Sequence, residues 1–261
     1  MEKYAVFVDI DGTLLNTKHR ISEESKETIR LLKENGHKVF ICTGRPLCDL
    51  DDYILEPGFD GIVAAGGAYV EAYGHIYRNI QFNSKEVQKV EKVLNEIEAG
   101  ISYERVDGVY VTRLFKKYVD ENIEVFTKSY ADKMIVVDEG FMETGKFTFI
   151  CKKDKLEIIK ERLDNEFEVI KAPYMDHTKD YVFGEICLKG ITKDDGIKSL
   201  NLNQKIIAIG DSDNDIGMLK YADIGIAMGN ASDNLKAVAD MISEHVDDEG
   251  FMKAFKKLQL I

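Results

Sequence analysis

Val6-Phe7-Val8-Asp9-Ile10-Asp11-Gly12-Thr13-Leu14-Leu15 joins an apolar, β-prone run to two carboxylates at i and i+2, and then to Gly-Thr. Tyr4 to Val8 carries no polar alternate, which is the pattern of a strand covered on both faces and therefore of a parallel sheet. In such sheets ligands bind beyond the carboxyl ends of the strands, where Asp9 and Asp11 fall. The period of two points both side chains the same way, and Gly12 lets the chain turn sharply around whatever sits there. An ordinary strand ending in a solvated Asp-Asp-Gly turn would read the same locally, so the surrounding chain has to decide.

Downstream, Ser22 is placed to cap a helix with Glu23 and Glu24 in its first turn, Ile29 and Leu32 on its apolar face, and Gly36 at its end. Lys38 to Cys42 reads as a second buried strand, and Thr43-Gly44-Arg45-Pro46 follows it directly. A short helix with Leu47, Leu50 and Ile54 inward leads to a third strand, Gly61 to Ala64, and then to Gly66-Gly67. This β-α-β-α-β order predicts an α/β fold with a doubly wound parallel sheet.

From about Phe82 the texture changes. Ser84 to Glu98 has helical spacing (Val87, Val90, Val93, Leu94, Ile97) closed by Gly100, and Asp107-Gly108 between two strand-like runs signals a hairpin. Strand candidates at Lys146–Cys151, Phe167–Ala172 and Tyr181–Cys187, with a helix around Leu156, Ile159 and Leu163, lack the alternation of the ends. The alternation returns with Thr192 and Asp195 as a capping-box variant around Lys193, a strand at Lys205–Ile209, Gly210-Asp211-Ser212-Asp213-Asn214-Asp215, a helix bearing Met218 and Leu219, a strand at Ile224–Ala227 and a cap at Ser232. Residues 1–81 and 186–261 are therefore expected to form one core, with 82–185 inserted as a separate α+β domain.

The chain has 261 residues and 35 basic against 47 acidic side chains, so its formal charge is 35 − 47 = −12. No Lys/Arg-rich block is present, which disfavours a nucleic-acid partner. An anionic substrate would have to be held by a metal or a few local cations against the global field. Asp9 interrupts the only apolar run near the start, and no stretch approaches the ~18–20 apolar residues of a membrane span, so a cytoplasmic protein is expected, with no membrane partner. The four cysteines (Cys42, Cys48, Cys151, Cys187) show no metal-ligand spacing and read as reduced thiols.

Three strand ends now offer Asp9 and Asp11, Thr43, and Asp211, Asn214 and Asp215, while a helix start offers Lys193. Carboxylates from two strands can hold Mg²⁺, which takes oxygen ligands. A hydroxyl (Thr43), turn amides (Gly44), Asn214 and Lys193 can take phosphate oxygens. One carboxylate can attack phosphorus, and its neighbour can protonate the leaving oxygen and then activate water.

On Asp9-Ile-Asp-Gly-Thr-Leu-Leu, Ile41-Cys-Thr-Gly-Arg45, Lys193, Gly210-Asp-Ser-Asp-Asn-Asp215 with Met218-Leu219, and Ala227-Met-Gly-Asn-Ala231, the sequence resembles the haloacid dehalogenase superfamily, and within it the Cof-type phosphatases of subfamily IIB. The resemblance implies a Mg²⁺-dependent phosphohydrolase acting on a small phosphorylated metabolite, with the inserted domain as its cap, and the polar side chains of that domain point to a sugar phosphate. It implies Asp9 as nucleophile and Asp11 as acid/base, with phosphate bound by Thr43 and Lys193 and approached by Asn214. Mg²⁺ would be held by Asp9, the Asp11 main-chain carbonyl and Asp211, and Asp215 would orient a metal-bound water. Dehalogenases and cation-pumping ATPases of the superfamily lack the second acid, so Asp11 points to phosphate esters. Two departures stand out: Gly66-Gly67-Ala68 replaces the usual Asn-Gly-Ala, and Asp194 replaces the glycine after the lysine, where a solvent-facing side chain is expected.

A phosphomutase or a catalytically retired ligand-binding copy would share this core. Retention of both Asp9 and Asp11 favours an enzyme over the retired copy, and the phosphomutase is told apart by its product, an isomerised sugar phosphate in place of free phosphate. Gly140 to Lys146 has P-loop spacing but Phe147 at the Ser/Thr position, and Asp211 to Asp215 fails as a calcium loop because the glycine falls at the seventh position and the twelfth is Ala222, not Glu. Arg45 could pin the cap, contact substrate or pair with an acid. His177 lies between Asp176 and Thr178 in the insert. Tyr103, Arg105, His177 and Lys179 are expected to present polar groups to a hydroxylated leaving group.

Overall fold

The computed structural model describes residues 2–121, 131–138, 143–171 and 180–261. Two compact units divide the chain: Met1–Arg45, Leu50–Asn79 and Ile191–Ile261 form one, and Pro46–Asp49 with Ile80–Gly190 form the other. The divisions fall at 79/80 and 190/191, a few residues from the expected ones, and the stretch after Arg45 goes with the second unit. His177, Lys179 and the first three residues of the P-loop-like stretch, 140–142, lie outside the described residues.

In the first unit, β1 (Tyr4–Val8), β2 (Lys38–Cys42), β3 (Gly61–Ala64), β4 (Tyr69–Ala72), β5 (His75–Asn79), β12 (Lys205–Gly210), β13 (Ile224–Ala227) and β14 (Met241–Ile242) make one sheet in the order β14-β13-β12-β1-β2-β3-β4-β5. The six strands from β14 to β3 run parallel. On one face Phe7 stacks on Phe40 with ring centroids 4.8 Å apart. Ile197, Met218 and Leu235 pack in the same cluster. The alternate residues Val6 and Val8 are equally buried, so both faces are covered. The helix Glu23–Glu34 starts as expected, with the Ser22 side chain accepting from the Ser25 amide, and Gly36 follows its end at φ +84°.

The hairpin β4–β5 was not legible in the sequence. It runs antiparallel to β3 at the sheet edge and turns through Tyr73 and Gly74, both at positive φ. A Tyr-Gly turn lacks the Asn-Gly or Asp-Gly signal, although it adopts the same left-handed pair of conformations. The single helix expected over Leu47 to Ile54 is instead a 3₁₀ turn, Leu47–Asp49, and a separate helix, Asp52–Leu55.

The second unit contains β6 (Gly100–Arg105), β7 (Gly108–Thr112), β8 (Met134–Val137), β9 (Lys146–Lys152), β10 (Phe167–Lys171) and β11 (Tyr181–Leu188), in the order β10-β11-β9-β6-β7-β8. All pairings are antiparallel except β7 with β8. Helices Ser84–Glu96 and Leu156–Leu163 bury Val87, Val90, Leu94, Ile159 and Leu163 against Ile101, Phe147 and Phe149. A capping box at Asn83 and Glu86 starts the first of them. Gly100 does not end that helix. It opens β6, where a Cβ would lie 2.5 Å from the Phe115 backbone, so the residue is small because another segment crosses it.

Tyr103 also departs from expectation. It is fully buried in the core of this unit, with its hydroxyl donating to Glu91 at 2.5 Å. Arg105 is bonded to Asp107 at 2.8 Å and to the Glu143 carbonyl at 2.7 Å.

Candidate active site

The carboxyl ends of β1, β2 and β12, with the start of the helix Lys193–Ser199, carry the residues singled out in the sequence. Asp9 follows β1, and its amide donates to the Ile209 carbonyl on β12. Asp9 is 5% exposed, Lys193 2% and Asp215 0%, so three charged groups are out of water together. Lys193 Nζ donates to Asp9 Oδ1 at 2.6 Å and to Asp215 Oδ1 at 2.5 Å. Asp215 Oδ2 accepts from the amides of Asp211 and Ser212 at 3.0 and 3.1 Å, which ties its own turn to the lysine.

The charges shift one another. Burial, opposed by the Lys193 ammonium and reinforced by Asp215, holds the Asp9 carboxyl well above the usual carboxylate range. Burial and then Asp215 push Asp211 up to about 6. Burial would lower Lys193, but Asp9 and Asp215 outweigh it and hold the ammonium above its ordinary range. Carboxylate oxygens of Asp9, Asp211 and Asp215 lie within 4.8 Å of one another. Three carboxylates against the Lys193 ammonium, which is bonded to two of them, leave two negative charges in excess, and the donors are hard oxygens. This set fits a divalent cation of the Mg²⁺ type. Both oxygens of Asp215 are engaged, so Asp9 and Asp211 are the carboxylates with an oxygen to offer.

Asp11 points elsewhere. Its carboxylate accepts from Arg45 Nε at 2.8 Å and Nη2 at 2.5 Å, a two-pronged pair on a half-exposed side chain. Of the three roles open to Arg45, pairing with an acid is the one seen. Thr43 is buried at the end of β2, its hydroxyl accepting from the Arg45 amide at 3.1 Å, and its carbonyl accepts from the Gly66 amide. Asn214 is exposed; its Nδ2 would sit 3.6 Å from a Cβ on Gly44, so the loops after β2 and β12 meet there.

Both departures from the usual motifs have a local account. Gly66 has φ +62° with nothing within 4 Å of a Cβ, a left-handed position that asparagine also tolerates. Gly67, at φ +103°, would place a Cβ 2.1 Å from the Thr192 carbonyl, one residue before Lys193. Gly67→Ala is therefore expected to cost more than about 1 kcal/mol and to raise KM, while Gly66→Asn leaves both unchanged; denaturant melts and steady-state kinetics check this. Asp194 does not face solvent as expected. Its side chain is 17% exposed, accepts from Lys198 at 2.5 Å, and lies where a Cβ on Gly217 would be 2.3 Å from Oδ1. Thr192 stands at the cap position, but its hydroxyl donates to the Asp195 carboxylate and accepts no capping hydrogen bond from the helix amides.

Asn230, quoted within a motif but given no role, proves to be central. Its Nδ2 donates to the Gly12 carbonyl at 2.8 Å and to Asp211 Oδ2 at 3.3 Å.

Parallel strands ending in this set of acids, lysine and threonine define a phosphoryl-transfer architecture. The chain belongs to the haloacid dehalogenase-like hydrolases, whose pattern matches residues 6–255. It is 27% identical to the 5-amino-6-(5-phospho-D-ribitylamino)uracil phosphatase YitU of Bacillus subtilis, covering 97% of each chain. The solved phosphatase BT1666 from Bacteroides thetaiotaomicron is 28% identical with a TM-score of 0.78, covering 100% of this chain and 96% of that one. The subclass IIB sugar phosphatase BT4131 shares the fold at a TM-score of 0.79 and 24% identity, covering 99% and 100%. The protein is a phosphatase of the Cof type.

Proposed function

We propose that this phosphatase hydrolyses a small phosphorylated metabolite, a sugar or polyol phosphate, through a phosphoryl group carried on Asp9. The observation that carries the proposal is the buried Asp9 carboxylate at a strand end, fixed by Lys193 at 2.6 Å beside Asp211 and Asp215. In the first half-reaction an Asp9 oxygen bonds to phosphorus as the ester P–O bond breaks, and Asp11 gives its proton to the departing oxygen. In the second, water attacks phosphorus, Asp11 takes its proton, and the bond to Asp9 breaks to release phosphate. Thr43, Gly44, Lys193 and Asn214 are the groups available to phosphate oxygens. Asp9, the Asp11 carbonyl and Asp211 would hold Mg²⁺, which supplies charge neutralisation as phosphate approaches the carboxylates.

Asp11 must leave the Arg45 fork, or share it, to reach a leaving oxygen. Asp11→Asn is accordingly expected to lose far more rate on alkyl phosphates than on aryl phosphates, whose leaving groups depart unprotonated. Equal losses on both would remove the acid role.

The polyol preference is supported by the phospho-ribityl substrate named for YitU. Reading of the leaving group is assigned to residues 80–190, because the core groups above serve the phosphate, which every ester shares. Phosphate release from a panel of esters, with and without EDTA, tests the whole reading. Activity on sugar or polyol phosphates that EDTA removes and Mg²⁺ restores is expected. Full activity in metal-free buffer would overturn the metal assignment, and turnover confined to non-carbohydrate esters the substrate class.

A further inference from the structure

We infer that Asn230 is a positioning residue that sets the metal affinity of this site, an inference that rests on the metal-dependent reading above. The carboxamide touches two chain segments that reading assigns to the cation. Its Nδ2 lies 2.8 Å from the Gly12 carbonyl, one residue beyond the Asp11 carbonyl, and 3.3 Å from Asp211 Oδ2. The packing there is close: a Cβ on Gly12 would lie 2.1 Å from Asp211 Oδ2 and 3.2 Å from Asn230 Nδ2. Gly12 itself sits at φ +74°, so nothing in its own conformational preferences fixes the loop.

The opposite end of the carboxamide is anchored. Asn230 Oδ1 accepts from the Val246 amide at 3.0 Å, which settles which atom faces the loop and which faces the turn at Val246–Asp248. The same region reaches the loop a second time, where Asp247 accepts from the Thr17 amide at 3.1 Å and from its hydroxyl at 2.7 Å. The loop after β1 is thus tied at both ends to one turn, but only the Asn230 tie also holds a carboxylate of the proposed cation site.

Asp211 Oδ2 crowds the loop at Gly12, so the Asn230 hydrogen bond to that oxygen sets where the carboxylate points. Donors that orient a ligating carboxylate govern metal affinity although they never touch the metal. Asn230 fills that place for Asp211, and the same Nδ2 fixes the distance between Asp211 and the Gly12 carbonyl, one residue beyond the Asp11 carbonyl.

Calorimetric titration of the metal-stripped full chain with MgCl₂, repeated with MnCl₂, tests this without any assay of turnover. Asn230→Ala should weaken binding of both ions about 10- to 100-fold. Asp247→Ala, which loosens the loop through Thr17 alone, should leave the affinity unchanged. Should Asn230→Ala fail to fold, Asn230→Ser serves the same test, since a hydroxyl cannot reach Gly12, Asp211 and Val246 together. Equal affinity in wild type and the Asn230 variants overturns the inference. Equal weakening by Asp247→Ala overturns it too, because Asn230 would then act only through the fold of the loop. A wild-type chain that binds neither ion removes the metal reading itself, a result distinct from both.

Discussion

Asp9→Asn is expected to abolish turnover while leaving the fold at least as stable as the wild type. An amide has the shape of the carboxylate but cannot attack phosphorus, so the loss should be at least about 10³-fold, the scale on which removal of a catalytic nucleophile registers. The stability side follows from the shifted carboxyl. Burial holds Asp9 well above the usual carboxylate range, so between its ordinary and its raised value the folded chain keeps the proton more tightly than the unfolded one. Ionising Asp9 therefore costs stability as pH rises through that interval, and the cost is fully present above it. A neutral isostere escapes that cost and forfeits only the Lys193 contact at 2.6 Å. Phosphate release together with thermal melts above pH 7 checks both halves. Turnover above contaminating activity would sink the nucleophile assignment, and a markedly lowered melting temperature would mean that the Lys193 contact outweighs the burial of the carboxylate.

How much of this was legible in sequence depended on the range of the interaction. Asp9, Thr43, Asp211 and Lys193 could be placed because each follows a strand or opens a helix whose pattern is local, and a parallel sheet delivers its strand ends to one edge. Partners across the site were not legible. Nothing in the sequence ties Asp11 to Arg45, 34 positions on, or Asn230 to Gly12, 218 positions back, since such contacts depend on where whole loops land. Asp215 shows the same limit. It was expected to orient a metal-bound water, yet one of its oxygens is bonded to Lys193 and the other to two amides of its own turn. Composition misled for Tyr103, whose hydroxyl suggested a surface role although its ring lies in the core of the second unit. The turn at Tyr73-Gly74 was missed because a local signal, the asparagine or aspartate that usually marks it, was absent.

Lys193→Met should have the other large effect, and it should act on stability and chemistry together. The side chain is 2% exposed and its ammonium joins Asp9 and Asp215, themselves 5% and 0% exposed. Methionine keeps most of the volume but leaves two buried carboxylates without their cation. Breaking a buried pair by removing one partner costs about 3–5 kcal/mol, more than the pair contributes against an apolar replacement of every member, because the remaining charge stays buried. Denaturant unfolding of the metal-free chain should register that loss. It should shrink in the double variant Asp9→Asn with Lys193→Met, where one of the two stranded carboxylates is already neutral. In kinetics, kcat should fall and KM rise together, since the ammonium meets phosphate charge in the ground state and in the transition state alike. Additive losses in the double variant would show that Asp9 and Lys193 do not depend on one another, and the 2.6 Å contact would then not be what holds the nucleophile. A coupled loss in stability with KM unchanged would leave Lys193 as a structural counter-ion to Asp9 and Asp215, with the phosphate held by Thr43, Gly44 and Asn214.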